Sequence, residues 1–222
     1  MLSQWLLSKR QWLAVMLILC GCIAGHASEA DGYNSKPAPK KIFSEGKHYT
    51  VLAEPIAGEV APVLEFFYFG CRTCYQLVPA IANWSHKTGI AVSLVPVHSQ
   101  TAMTDAARLY HTFAEMGVLA QMYELGYVIF QTEASELQGK ARIDDFLLRH
   151  KVDQQRFWEL WSSDAVNRRL AASLALTQQA QIYKTPAFVV QGRYLVDIDA
   201  ITEVEQLFQL LDYLNKIPVS KT

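Results

Sequence analysis

Two cysteines, Cys71 and Cys74, stand three positions apart and precede apolar residues at helical spacing: Leu77, Ile81 and Trp84. This pattern places the pair at the N-terminus of a helix. A helix N-terminus offers unpaired backbone N–H groups and a partial positive charge, which favour a thiolate over a thiol. Only a thiolate attacks a disulfide. The spacing therefore predicts thiol–disulfide exchange, with Cys71 as the nucleophile and Cys74 as the resolving thiol.

The residues between the cysteines, Arg72 and Thr73, are expected to tune the thiolate, and the Arg72 guanidinium adds a full positive charge nearby. Two other uses of such a pair are a structural disulfide and a zinc site. A structural disulfide of this spacing would close a tiny loop and restrict the unfolded chain little. A zinc site needs two further ligands, and neither His86 nor His98 has a paired ligand spacing. We predict a redox pair that needs no metal and no cofactor.

The elements that position this pair follow from the hydrophobic pattern. A short strand is predicted over His48–Leu52. The apolar run Val63–Phe69 directly precedes the cysteines and has the length and aromatic content of a buried strand. Ile90–Val97 predicts another strand after the helix. The active motif is therefore expected at a strand-to-helix junction within a strand–helix–strand unit.

The rest of the chain changes character twice. Residues 101–182 show several helical patterns, which include a helix predicted over Leu119–Phe130. The strands predicted over Ala187–Val190 and Tyr194–Val196 flank a tight turn and form a hairpin. Thr202 followed by Glu205 is a capping-box pattern that opens a final helix. The sequence thus predicts an α/β fold with an inserted all-helical domain, divided into residues 47–100, 101–182 and 183–222.

The N-terminus, residues 1–27, has the layout of a secretory signal peptide. Lys9 and Arg10 precede an uncharged, mostly apolar run over residues 12–24, and cleavage is predicted after Ala27. The apolar run is shorter than the roughly 20 residues that a spanning helix normally needs, although a retained membrane anchor stays an alternative. The polar, proline-broken residues 28–46 are predicted to be a flexible leader.

A lipoprotein signal is a second alternative, because Cys22 follows Leu19, Cys20 and Gly21 and could carry a lipid. Cleavage after Ala27 instead removes both N-terminal cysteines and leaves only the redox pair. Export takes the chain to a compartment where disulfides persist.

The formal net charge of −1 gives no electrostatic reason to expect binding to nucleic acid. The hydrophobic content of 51% is that of a packed globular protein.

Three segments resemble the DsbA family of thiol–disulfide oxidoreductases. The stretch Val63–Gln76 is similar to that family's active-site segment, and Thr185–Tyr194 is similar to its proline loop and hairpin. Upstream, residues 45–52 and 55–58 resemble its mature N-terminus. The resemblance implies a thioredoxin-like fold with a helical insertion, and a monomeric protein of the periplasm.

The resemblance also implies roles for individual residues. Pro186 is expected to be a cis-proline that faces the cysteines, which leaves the Thr185 backbone free to pair with an extended substrate peptide. Glu65 occupies the family's acidic position beneath the active site and would help to move the proton of Cys74. The lysine that pairs with this carboxylate in the family is expected to be replaced here by Val95.

The function implied is a dithiol oxidase that donates its disulfide to unfolded exported proteins and is reoxidised by a DsbB-like membrane oxidase. Two departures leave its redox strength open. Arg72 and Thr73 stand where the family commonly has Pro-His, and Thr185 resembles the isomerase branch. An isomerase or reductase on the same fold is one alternative. A peptide-binding chaperone with a non-essential cysteine pair is another.

Overall fold

The apolar run before the cysteines forms a buried strand, β2 (Val63–Phe67), in the computed structural model of the protein, which describes residues 43–58, 60–98, 101–131 and 139–218. It pairs in parallel with β3 (Val92–Pro96) and antiparallel with β4 (Ala187–Val190). Both faces of β2 are covered by other elements. A strand covered on both faces reads as a continuous apolar run, which is why this segment lacks polar alternation.

The predicted hairpin is confirmed. Three residues, Gln191–Arg193, join β4 to β5 (Tyr194–Val196), and Gln191 and Gly192 have positive φ angles of 53° and 62°. Such left-handed backbone matches the twist of the two strands and is easily adopted by glycine. Among the described residues, β1 (Tyr49–Val51) completes a five-stranded sheet of order β1-β5-β4-β2-β3.

Helices occupy the positions that the pattern predicts. One follows β2 directly, α1 (Arg72–Thr88), and another closes the described chain, α7 (Val204–Asn215). Between β3 and β4 the described residues form five more helices: α2 (Thr101–Glu115), α3 (Leu119–Gln131), α4 (Gly139–Arg149), α5 (Gln154–Trp161) and α6 (Asp164–Gln179). The prediction of a mixed α/β fold with a helical insertion is confirmed. In the described part of the chain, no helix has the length and apolar character needed to cross a membrane.

Apolar clusters join these elements: two that include Val63 or Phe67 lie on one face of the sheet, and another that includes Leu64 and Phe66 lies on the opposite face. On one face α1 and α7 pack together, and the rings of Trp84 and Phe208 stack with centroids 5.6 Å apart. The insertion contributes a second cluster, which takes in Phe67, Phe69 and Cys74 from the β2–α1 junction. The resolving cysteine is thus part of the core that the helical insertion shares with the sheet.

The leader predicted over residues 28–46 ends earlier than expected. Phe43 is 5% exposed, and its ring lies 5.7 Å from that of Tyr213 on α7. Gly46 donates a backbone hydrogen bond to Tyr49. Phe43 therefore packs on the core while residues 44–46 are exposed, and residues 28–42 of the predicted leader lie outside the described residues, as does the predicted signal peptide.

The capping box predicted at the last helix is wrong by one residue. The backbone N–H and the hydroxyl of Thr202 both bond to the side-chain oxygen of Gln206, at 3.0 and 3.1 Å. Glu203 is the N-cap and makes no side-chain capping bond. The glutamine oxygen reaches back over a full turn and satisfies donors that precede the helix, a role that the pattern assigned to Glu205.

Candidate active site

Cys71 and Cys74 form a disulfide at the start of α1. Cys71 is the N-cap residue of this helix, with extended backbone. Its sulfur accepts a hydrogen bond of 3.1 Å from the backbone N–H of Cys74. The sulfur of Cys71 therefore lies where the first N–H groups of a helix converge, which is the position that the sequence predicts.

The two sulfurs differ in access to solvent. Cys74 is fully buried at 0% exposure, whereas Cys71 is partly exposed. Arg72 and Thr73 occupy the exposed first turn of α1. A thiol from outside can reach Cys71 without moving the core, and Cys74 is reached only from Cys71.

In the reduced protein, brief treatment with an alkylating agent is expected to label Cys71 and to leave Cys74 almost unmodified. The reason is that reactivity requires both exposure and a thiolate, and the helix N-terminus favours the thiolate of Cys71. Peptide mapping by mass spectrometry measures the ratio of the two labels. Label found chiefly on Cys74 would reverse the roles of the two cysteines.

The loop that enters the pair is held from two directions. The backbone N–H of Cys71 donates to the carbonyl of Tyr68 at 2.8 Å. From the insertion, the side-chain amide of Gln131 on α3 donates to the carbonyls of Phe69 and Cys71, at 3.2 Å each. Sequence reasoning missed Gln131, because nothing in the local pattern distinguishes it from an ordinary residue at a helix end.

A glycine on the same helix permits this close packing. Gly126 of α3 lies against the ring of Phe69, and a Cβ at this position would stand 2.5 Å from a ring carbon. The ring of Phe69 is also stacked on Phe130, with centroids 6.0 Å apart. The entry loop therefore rests on α3 through side-chain packing as well as through hydrogen bonds.

The Thr185–Pro186 peptide bond is cis. Strand β4 begins at the next residue, and Ala187 pairs with Phe66 near the end of β2. Because β2 leads from Phe66 towards Cys71, the proline loop lies at the end of the sheet that carries the cysteines. Pro186 is buried, and Thr185 is partly exposed.

Glu65 lies in the middle of β2 and is 2% exposed. Burial raises the pKa of its carboxyl from 4.5 to about 8, because an apolar surrounding disfavours the charged form. One carboxyl oxygen, Oε1, has no hydrogen-bond partner among the described residues. The side chain shares a face with Phe67, since alternate residues of a strand point the same way. At neutral pH this carboxyl is mostly protonated.

The expected neighbour of Glu65 on β3 is wrong by one position. The parallel register pairs Glu65 with Leu94, whereas Val95 pairs with Phe66 and packs on the opposite face. A shift of one residue in register moves a side chain to the other face of the sheet. The lysine expected from the resemblance is therefore replaced by an apolar side chain at Leu94, and no cation offsets the burial of the carboxyl from this position.

A cluster of tyrosines packs beside the cysteine pair. Burial raises the pKa of Tyr110 to about 12 and also raises those of Tyr123 and Tyr127, and the charge on Glu65 adds to each rise. The hydroxyls of Tyr123 and Tyr127 are 3.1 Å apart. Tyr75, which follows Cys74, stacks on Tyr127 with centroids 5.2 Å apart. The hydroxyls of Tyr110, Tyr123 and Tyr127 stay protonated at neutral pH and therefore add no charge beside the pair.

These features define a thioredoxin-like class of protein: a buried strand leads into a cysteine pair at a helix N-terminus, with a cis-proline at the same end of the sheet. The family model of the DSBA-like thioredoxin domain matches residues 63–215. The chain belongs to this family. Within the described residues, no group of three or more histidine, cysteine, aspartate or glutamate side chains is arranged to hold a metal ion.

Relatives and solved structures agree with this assignment. The chain is 26% identical to the thiol:disulfide interchange protein DsbA of Pseudomonas aeruginosa, over 92% of this chain and 95% of the relative. The crystal structure of Pseudomonas aeruginosa DsbA has a TM-score of 0.70 at 26% identity and covers 78% of this chain and 93% of its own. A structure of Proteus mirabilis DsbA with a non-covalently bound peptide has a TM-score of 0.66 at 23% identity, over 78% and 97% of the two chains.

Proposed function

We propose that this protein is a thiol:disulfide oxidoreductase that introduces disulfide bonds into exported proteins by exchange at Cys71 and Cys74. The disulfide at the start of α1, in which Cys71 is partly exposed and Cys74 is buried, carries this proposal. Membership of the DSBA-like family supports it, as does the similarity to a relative named for thiol:disulfide interchange.

The reaction proceeds in two exchanges. A client thiolate attacks the Cys71 sulfur, the Cys71–Cys74 bond breaks, and Cys74 leaves as a thiolate that must gain a proton in the core. A second client thiolate then attacks the client sulfur of the mixed disulfide and releases Cys71 as a thiolate. The client gains one disulfide, and the protein takes up the two electrons. We infer that Glu65, which is buried and mostly protonated at neutral pH, supplies that proton.

Thr185 and Pro186 supply the client-binding edge. The proline has no N–H, so the loop before β4 can offer only part of its backbone to a partner. An extended peptide that pairs with Thr185 gains affinity from main-chain hydrogen bonds without a strict sequence requirement. Such binding suits an enzyme that acts on many unfolded proteins.

A disulfide isomerase or reductase on the same fold is the second candidate, because Thr185 and the Arg72–Thr73 pair depart from the usual oxidase residues. The redox equilibrium with glutathione separates the two. An oxidase holds its disulfide weakly and stays reduced in mildly oxidising glutathione buffers, whereas a reductase forms its disulfide readily in the same buffers. An equilibrium constant close to that of a strong reductant would overturn the oxidase proposal.

A variant in which Cys71 and Cys74 are both replaced by alanine separates enzyme from chaperone. The oxidase proposal expects this variant to lose all oxidation of a reduced client, measured by the recovery of client activity under aerobic conditions. A protein that acts only by binding peptides would keep its activity without the cysteines.

Export and reoxidation complete the proposal. A DsbB-like membrane oxidase would return the reduced pair to the disulfide, with the protein acting as a monomer in the periplasm.

The mature N-terminus is expected to be an unmodified Ser28, because the predicted cleavage follows Ala27. Intact-mass measurement of the protein from the exporting cell tests this. A mass larger by a lipid group, with Cys22 as the first residue, would show that the protein is membrane-anchored instead.

A further inference from the structure

We propose that Gln131 is a positioning residue that stabilises the Cys71 thiolate through the carbonyls it binds and makes the protein a stronger oxidant. This inference rests on the proposed role of Cys71 as the nucleophile. Gln131 is the last residue of α3 and is partly buried, and its side-chain amide reaches across to the loop before α1. It belongs to the helical insertion and acts on a cysteine that the sheet and α1 present.

The geometry is that of a fork. Both hydrogens of the Gln131 amide group are used, one for the carbonyl of Phe69 and one for the carbonyl of Cys71, each at 3.2 Å. The Cys71 carbonyl also accepts the backbone N–H of Tyr75 at 3.2 Å, as the first carbonyl of α1. The Cys71 carbonyl therefore has two donors, which fixes its direction relative to the sulfur of the same residue.

The electrostatic consequence differs between the two redox states. A carbonyl oxygen carries partial negative charge and disfavours a thiolate close to it. A donor that binds this oxygen offsets that charge, and the effect is larger where water is partly excluded. The disulfide has no net charge and gains little, whereas the Cys71 thiolate gains directly. Gln131 thus stabilises the reduced form more than the oxidised form, which is the direction that an oxidase needs.

A second contact from the same helix keeps the amide within reach. The absence of a side chain at Gly126 lets the ring of Phe69 rest directly on α3, and a Cβ there would stand 2.5 Å from it. Phe69 is also one of the two residues whose carbonyls Gln131 binds. The packing at Gly126 and the two hydrogen bonds from Gln131 hold the same loop. The Gln131 amide is therefore kept within hydrogen-bond distance of both carbonyls.

The test replaces Gln131 with methionine, which has similar length and no N–H donor. The matched control is Gln121→Met, because Gln121 is exposed on the same helix and makes no side-chain hydrogen bond within the described residues. At redox equilibrium in a given glutathione buffer, we expect Gln131→Met to lower the ratio of reduced to oxidised protein by about threefold to tenfold relative to the wild type. The titration of the Cys71 thiolate, followed by its ultraviolet absorbance, should move to higher pH. Gln121→Met should leave both unchanged.

A rescue variant separates tuning from support of the fold. Gln131→Lys restores a donor and should return the equilibrium constant to the wild-type value or beyond. An equal loss of unfolding free energy in the oxidised and reduced forms of Gln131→Met, with an unchanged equilibrium constant, would overturn the inference and leave the oxidase function intact. A different result would overturn the proposed function, and this inference with it: a Cys71 thiol that titrates like an ordinary cysteine in the wild-type protein, together with a redox equilibrium in which the protein reduces glutathione disulfide.

Discussion

A Cys74→Ser variant is expected to accumulate as mixed disulfides with its clients through Cys71. The Cys71 thiolate can still attack a client disulfide, but without Cys74 no thiol of the protein itself can attack the Cys71 sulfur and release the client again. The described part of the chain has no cysteine besides Cys71 and Cys74, so no other cysteine there can take the place of Cys74. Multiple-turnover oxidation of a reduced client should fall to the uncatalysed rate, because the variant cannot form its own disulfide.

The adducts are measured on non-reducing gels of the exporting cell and should collapse when a reductant is added. Cys71→Ser is the matched control, since it leaves a single thiol at 0% exposure. That control should form few or no adducts. Equal adduct formation by both variants would contradict the division of roles between the cysteines, and no adducts in Cys74→Ser during active export would count against exchange with clients.

Local patterns were enough to predict the elements that carry the site. The hairpin strands were predicted at the residues where the structure has them, because a glycine turn between two apolar runs permits few other arrangements. The start of α1 followed from apolar residues one helical turn apart. The position of Cys71 at the N-cap needs only these short-range patterns, so the central chemistry could be predicted without the fold.

Contacts between distant parts of the chain could not be predicted in this way. Gln131 is 62 residues from Phe69 and 60 from Cys71, and its meeting with both depends on how the insertion docks on the sheet. The sequence predicts Val95 as the neighbour of Glu65, whereas the structure has Leu94 there, because the register of two strands is set by their pairing in three dimensions. An error of one residue there reverses the face of the sheet. The burial of Phe43 depends in the same way on α7, far along the chain.

Glu65→Leu is expected to stabilise the protein at pH 7 by about 3 kcal/mol. The carboxyl has a pKa of about 8 in the folded protein and near 4.5 in the unfolded chain. Between these two values the folded state holds a proton that the unfolded state has released. Stability then falls as pH rises, because the folded state binds more protons than the unfolded state does. Leucine removes both this penalty and the unpaired Oε1 atom.

The pH dependence is the distinguishing observation. In urea unfolding of the oxidised protein, the advantage of Glu65→Leu should be smallest below about pH 4.5, grow steadily from there, and level off above about pH 8. Glu65→Gln is the matched variant of the same shape. This variant should also lack the pH-dependent destabilisation that the carboxyl causes. It should nevertheless stay less stable than Glu65→Leu at every pH, because a buried amide still needs hydrogen-bond partners.

The same substitutions should slow exchange while they stabilise the fold. Without the carboxyl, the departing Cys74 thiolate has no buried acid to take a proton from, so both variants should oxidise a client more slowly than the wild type does. A residue kept for packing alone would not combine a gain in stability with a loss in rate. Wild-type and Glu65→Leu stability curves that run parallel from pH 4 to pH 9 would contradict the raised pKa, since they would mean that Glu65 ionises equally in the folded and unfolded chain.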